Sequence, residues 1–439
     1  MPSDLVAVGA PSVPVLMELL QETTPVCHSA AVALAQIGEP AIEPLAVLVR
    51  SGRQEPLVLR AAMALFSIDS ERVRALAIEM LEGSANPFVR ERAADSLARV
   101  ARPDDMPVLV RAANDGDESV RAAALRAMAS LEKLPEGFPR SLVISRLGDP
   151  APSVRLAAVA LSGRLALVHA VPMIPQLVED SDPEVVSNAL WIAGDLGDTS
   201  LVPLLQTFLG SDLASQRIPA AKSLLQLGND SGEKLLRAAL TDPDIRHYAL
   251  WGLSFARSTE SISAVVSVLP LLNEEHGELA RYSLFKATGA LLELSQWPVW
   301  WALYGRFWVP AYRDGVEAYF RSRLYAEAQI PHLAAEYLTQ AASIAPAFPP
   351  VSLEYARYLV ATGDRQSLLK AVETLEKRAQ LLPEAEGFLQ LARAYTALGR
   401  TGDALAAVSK GIALGAGPVL ELDRKSTRLN SSHVSQTRM

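Results

Sequence analysis

Two stretches, NPFVRERAADSLARV (86–100) and DESVRAAALRAMASL (117–131), decide the architecture of this 439-residue chain. Anchored at Val89 and Val120, they superpose residue by residue. Equivalent anchors recur at nearly even spacing along the chain, at Val26, Leu57, Val154, Val185, Gln216 and Ile245. Four residues after each anchor stands alanine: Ala30, Ala61, Ala93, Ala124, Ala158, Ala189, Ala220 and Ala249. Eleven residues after them come Ile37, Ile68, Val100, Leu131, Leu165, Leu196, Leu227 and Ala256. Offsets 0, 4, 8 and 11 fall on one face of an α-helix. A methyl-sized residue fixed on that face lets two helix backbones approach closely. A looser ninth copy begins at Leu279, with Ser283 at the small position.

Between these helices runs a second set marked by proline: Pro14, Pro44, Pro107, Pro172 and Pro203. Proline is tolerated in a first helical turn, where its missing N–H would have no partner anyway. Gly9, Gly38, Gly197 and Gly228 punctuate the chain after helices. Each unit therefore reads as helix–turn–helix, and such a unit buries its apolar face only by stacking on neighbours. The expected fold class is all-α, an α-solenoid.

The DPxVR-like starts, with alanine, leucine and glycine at fixed offsets, resemble the HEAT-like repeats first named for phycobilisome lyase subunits. The resemblance covers roughly residues 5–295. After residue 315 the period changes. Tyr325, Ala334, Leu338, Ala341 and Pro346, and then Tyr395, Leu398, Gly399, Ala404, Val408 and Ile412, stand at the spacing of tetratricopeptide repeats. A middle copy from Leu353 to Pro383 carries Gly363, Ala371 and Leu375. The organisation expected is thus 1–295 HEAT-like, 296–316 an aromatic junction, 317–422 about three tetratricopeptide-like pairs, and 423–439 a non-native tail. That tail opens with DRKSTRLNSSH, which closely resembles a translated sequencing adapter. At the front, Leu5, Val8 and Gly9 read as the end of a helix whose beginning is absent.

Composition narrows function. The chain is 50% hydrophobic but only 6% aromatic, and its one cysteine, Cys27, excludes an intramolecular disulfide framework. A net charge of −8 provides no basic field for phosphate backbones, so no nucleic-acid partner is expected. The longest apolar run, around Trp297–Val309, is broken by Gly305 and Arg306 and is too short to span a bilayer. The N-terminus lacks the features of a secretory signal, and a cytoplasmic location is expected.

Chemistry-bearing motifs are sparse. Of the histidines His28, His169, His247, His276, His332 and His433, none lies at His-x-x-x-His spacing and none precedes Glu. HEAT-like deoxyhypusine hydroxylases hold two irons with paired His-Glu motifs, and this chain departs from that pattern; no metal and no cofactor are expected. Cys27 and His28 are adjacent on a helix and so point about 100° apart, which suits a small buried thiol beside an exposed imidazole better than a nucleophile–base pair. Arg90, Arg121, Arg155 and Arg246 directly follow their anchors, and their recurrence suits a structural ladder better than an anion-binding stripe. Asp182 and Asp242 are placed to cap helices. Arg357 and Arg393 in the last repeats read as solvated charge. The Lys and Asn combination with which some tetratricopeptide families clamp a terminal carboxylate is missing.

One stripe is not uniform. Offsets 3, 6 and 10 of the second helices carry Arg92, Asp95, Arg99 and Arg126 early on. They turn aromatic later, with Trp191, then Tyr248, Trp251 and Phe255, then Tyr282 and Phe285. The HEAT-like resemblance implies that second helices line a concave side, so these six are the candidate partner-binding residues. Either the segment QWPVWWALYGRFW (296–308) covers them as an internal joint or they line an open groove. Trp297, Trp300, Trp301 and Trp308 read as the joint itself. The leading expectation is a non-catalytic scaffold holding a protein or extended peptide. The alternative, implied by the repeat type alone, is an auxiliary subunit of a lyase delivering a bilin to a phycobiliprotein.

Overall fold

A computed structural model describes residues 2–22, 25–51, 55–131 and 135–415. Every regular element among them is helical. The chain forms two compact units, one running to Gly232 and the other beginning at Glu233. The adapter-like tail lies outside the described residues.

In the first unit, short helices alternate with longer ones. The pairs are Val13–Leu19 with Val26–Ile37, Glu39–Ser51 with Glu55–Leu65, and Glu71–Gly83 with Pro87–Val100. Then come Met106–Ala112 with Glu118–Ser130, Arg140–Arg146 with Pro152–Arg164, Ile174–Leu177 with Pro183–Ile192, and Val202–Thr207 with Ala214–Gln226. Local chemistry sets the starts. The side chains of Ser70, Asn86, Asp117 and Asp182 accept hydrogen bonds from the first free backbone amides of their helices. Asp242, expected to do the same, instead accepts from the Asp244 amide, and its helix begins later, at Arg246. Pro14, Pro107 and Pro203 sit in first turns as read, and Pro172 lies in a 3-10 turn. Pro44 does not follow the pattern, because helix Glu39–Ser51 starts well before it.

The repeated small position holds the stack together. All seven of its alanines in the first unit, Ala30 to Ala220, are fully buried, and so is Ala249 in the second. At offset 8, Leu34, Leu65, Leu97 and Leu224 are likewise shut off from solvent. These side chains belong to one hydrophobic core running from Val13 to Leu224, the continuous core that stacked repeats share. Gly38 closes its helix with φ of +76°, and Gly197 takes φ of +72° in the turn that follows Pro183–Ile192, a backbone conformation that strains residues with a Cβ.

The second unit holds two further pairs, Glu233–Ala239 with Arg246–Leu253 and Thr259–Val268 with Glu274–Thr288. Ser283 is buried at the small position of the latter. Helix Trp297–Tyr304 follows, and then three longer pairs: Arg313–Glu327 with Pro331–Ile344, Pro349–Thr362 with Arg365–Leu381, and Ala385–Ala397 with Thr401–Ala413. Of the residues read there from spacing, Ala341, Ala371, Leu375, Tyr395 and Ala404 are buried, whereas Ile412 is exposed. The aromatic segment lies inside this unit. Trp297 and Trp308 are 0% and 1% exposed, and Trp300 packs on Phe320 and Phe348. Trp301 donates its indole N–H to Ser263 at 2.8 Å.

Candidate functional site: two faces of the repeat

The arginines that follow the anchors Val89, Val120 and Val154 are structural, whereas Arg246 donates to backbone carbonyls instead of a carboxylate. Arg90 donates through Nε and Nη2 to both carboxylate oxygens of Asp115, each at 2.8 Å. Arg121 grips Asp149 in the same way at 2.9 and 2.8 Å, and Arg155 grips Asp180 at 2.6 Å twice. The remaining nitrogen, Nη1, goes to turn carbonyls of the arginine's own repeat: Ser84 and Ala85 for Arg90, Asp115 and Gly116 for Arg121. Each of these guanidinium groups therefore pins its own turn and the next repeat's turn. Planar bidentate pairs of this kind are among the stronger polar contacts. Burial acts to raise the Asp149 pKa, but the Arg121 hydrogen bond and the Ala151 amide outweigh it and hold the carboxyl below its usual range. A stripe spent on itself in this way is not an anion site.

The other face is built from offset 6, and here period becomes geometry. Because the anchors are so evenly spaced, the offset-6 side chains of successive repeats meet as neighbours on adjacent second helices. Asp95 and Arg126 form an ion pair at 2.8 Å. Trp191 and Lys222 form a second rung: the ammonium sits 4.9 Å from the indole centroid, 3.0 Å from the Trp191 carbonyl oxygen and 3.1 Å from Asp195 Oδ1. Burial depresses the Lys222 pKa, and Asp195 offsets part of that. Gln226 donates to the same Asp195 oxygen at 2.9 Å. In the second unit Trp251, at offset 6, meets Tyr282, which stands at offset 3 of the following copy, and their rings stack 5.9 Å apart at 21°.

Of the six aromatic residues singled out from sequence, Trp191 falls in the first unit and the other five in the second. Tyr248, Trp251 and Tyr282 are 47%, 40% and 43% exposed, so the segment 296–308 does not cover them. Phe255, Phe285 and Trp191 are half-buried. His247 lies against Tyr248 and stacks on His276 at 5.9 Å. Burial, and then the neighbouring His276, keep its pKa below the ordinary imidazole value.

A further cleft escaped the reading. Val32 and Met63, at offset 6 of the first two repeats, are 45% and 46% exposed and line a cleft of about 520 Å³ with Cys27, His28, Ala31 and Arg60. The signal was present in the sequence, since two apolar residues at matching places on the outward stripe are as anomalous as the later aromatics. Cys27 is half-buried rather than buried, and His28 is exposed. Among the described residues, no group of three His, Cys, Asp or Glu side chains is arranged to hold a metal ion. None of their helices is long and apolar enough to cross a membrane.

Comparison with known proteins agrees with the repeat. A family model described as HEAT repeats matches residues 44–129 and 141–224. None of the curated proteins matches the sequence. Among solved structures, the chain is similar to the E. coli protein YibA, with 19% identity over 55% of this chain and 91% of that one and a TM-score of 0.45. It is similar to the complex of CpcE and CpcF of phycocyanin lyase from a Nostoc species, with 23% identity, 48% and 86% coverage and a TM-score of 0.41. A designed armadillo repeat protein in complex with the peptide (KR)4 is a third, with 17% identity, 49% and 99% coverage and a TM-score of 0.33. With TM-scores below 0.5, none of these likenesses bears on binding or activity.

Proposed function

We propose that this protein is a non-catalytic scaffold that holds a protein or an extended peptide along the outward stripe of its second helices. One observation carries the reading. On the outward stripe of the second helices, where other repeats pair their side chains internally, two places present large apolar groups to solvent: Val32 with Met63, both at offset 6, and Trp251 with Tyr282, at offsets 6 and 3. Exposed apolar and aromatic clusters are what partner anchors look like. The net charge of −8 supports a protein over a nucleic-acid partner. We take the three C-terminal helix pairs as tetratricopeptide-like extensions of the same kind of surface, and a cytoplasmic setting as the natural one for a chain with one cysteine.

Site-specific photo-crosslinking tests the scaffold role. A photoreactive phenylalanine is placed at Met63 or Tyr282, and as a control at Val47, which is 56% exposed on a first helix. Adducts formed in cells from Met63 and Tyr282 but not from Val47 support the proposal. Adducts that are the same from all three positions, or from none, overturn it.

A further inference from the structure

The internal rung of the first unit shows what its counterpart in the second unit is suited to receive. Trp191 stands six residues after its anchor, and Lys222 six after the next. Lys222 places its ammonium 4.9 Å from the indole centroid while Asp195 balances the charge at 3.1 Å. This is a complete cation seat: an aromatic face, a cation and a carboxylate. Trp251 occupies the equivalent position, six residues after Ile245. The side chain it meets on the next second helix is Tyr282 rather than a lysine, so two stacked rings stand where the first unit has one ring and its own cation.

Carboxylates are present around this pair as well. Glu278 lies one helical turn before Tyr282 and is exposed, and Glu275 lies a turn earlier on the same face, close enough to act on His247. Asp242 and Asp244, both exposed, precede the helix that bears Trp251. Two arginines of the same helices are engaged elsewhere. Arg246 is buried and donates to the Leu240 carbonyl at 2.7 Å, and Arg281 is held by Glu278 and, at 3.7 Å, by Glu293.

We propose that the Trp251–Tyr282 platform seats a cationic side chain, arginine or lysine, from a bound peptide segment, in the way Lys222 is seated on Trp191. The assignment rests on the peptide-holding reading above and names the chemistry of its occupant. The ring quadrupole attracts a cation over its face, and the attraction strengthens as bound peptide excludes water from it. Because Glu278 is engaged by Arg281, the exposed carboxylates of Glu275, Asp242 and Asp244 are the ones that add charge complementarity and hasten encounter.

The test is fluorescence anisotropy with the full chain and three labelled dodecapeptides: alternating Arg and Ser, the same with citrulline for Arg, and the same with Glu for Arg. The arginine peptide binds, and the citrulline peptide binds at least fivefold more weakly. Trp251→Leu and Tyr282→Leu each weaken the arginine peptide by roughly fivefold or more, whereas Trp251→Phe, which keeps a ring, retains most of the affinity. Glu275→Gln weakens it further and flattens its salt dependence. Should either leucine variant misfold, as judged by circular dichroism, the other carries the test. Equal binding of the arginine and citrulline peptides, or no effect of the leucine variants, overturns the assignment. A citrulline or glutamate peptide that binds as tightly as the arginine peptide, in a Trp251-dependent way, overturns the cation seat and upholds the wider peptide-holding reading. Binding by none of the three overturns the seat and leaves the crosslinking pattern to judge that wider reading.

Discussion

Gly194→Ala is the sharpest test of the close approach between repeats. At a glycine whose φ is negative, alanine ordinarily stabilises by about 0.4–1 kcal/mol, because it restricts the unfolded chain. Here a Cβ would stand 2.9 Å from Ser223 Cα and 2.7 Å from Gln226 Oε1. The glutamine can swing away, but a backbone carbon cannot. Ordinary carbon–carbon contact is about 3.5–4.0 Å, so helix Ala214–Gln226 must retreat by roughly half an ångström or more. That retreat loosens the Ser223 hydroxyl's bonds to the Leu190 and Trp191 carbonyls (2.7 and 2.9 Å) and the Lys222 bond to Trp191. Overpacking costs about 1–3 kcal/mol and each weakened hydrogen bond up to about 1. Against the entropic gain, the net is a loss of about 1–3 kcal/mol. Gly83→Ala is the control, since its Cβ would meet nothing within 4 Å. Urea unfolding followed by circular dichroism should show Gly194→Ala lowering the midpoint and Gly83→Ala leaving it unchanged or raising it. Equal or greater stability of Gly194→Ala would refute the claim that these helices touch through their backbones.

Three further outcomes follow from the same contacts. Asp149→Ala leaves Arg121 partly buried with only its turn carbonyls, and costs about 2–4 kcal/mol in urea unfolding; a loss under about 0.5 would show the ladder to be ornamental. Asp115, Asp149 and Asp180 all have depressed folded-state pKa values. Their contribution is therefore full above the unfolded aspartate value of about 3.9 and is lost as pH falls through the lower folded values; urea midpoints flat from about pH 5 to about pH 3 would contradict this. Met63→Ser, on an exposed stripe position, changes stability by less than about 0.5 kcal/mol while abolishing the crosslinks formed at its neighbours. A loss of several kcal/mol would mark Met63 as core.

The fold was legible because the signal was redundant. Alanine at offset 4 recurs eight times, and burial at every copy follows from the one steric requirement that adjacent backbones approach. The arginine ladder was legible for a related reason: a charge repeated in register with the core pairs in register too. Single-residue features were less legible. Pro44 lies inside a helix that its neighbours extend backwards, and Asp242 spends its carboxylate one turn too early, since each depends on a local competition that periodicity does not record. The aromatic stripe was visible, yet whether the segment 296–308 covered it was not. That depends on where Trp297 and Trp308 find a core, and they find it beside Trp300 and Trp301 rather than over Trp251. Val32 and Met63 went unread because aliphatic residues on a stripe draw less notice than tryptophan.

A repeat of nearly constant length has a functional consequence of its own. It brings each residue against its equivalent in the following repeat, so every stripe position is offered a partner from within the chain before any ligand arrives. Ser70 with Glu39, Arg74 with Asp105 and Gln226 with Asp195 all take that offer. So do Asp95 with Arg126 and Trp191 with Lys222. Where the two members are complementary in charge, the rung is closed and contributes to stacking. Where both members of a contact are apolar, as between the equivalents Val32 and Met63 and between Trp251 and Tyr282, which stands about one helical turn before the equivalent Phe285, neither can satisfy the other's exposure, and the rung stays open to solvent. Binding specificity in such a chain is thus written as failures of internal pairing. Converting one open rung to a closed one should then erase a binding site without touching the core. Trp251→Asp with Tyr282→Arg, which copies the Asp95–Arg126 rung, should leave stability within about 0.5 kcal/mol of the parent and abolish the crosslinks at that place. Retained crosslinking by this pair would show that the partner reads some other feature of the surface.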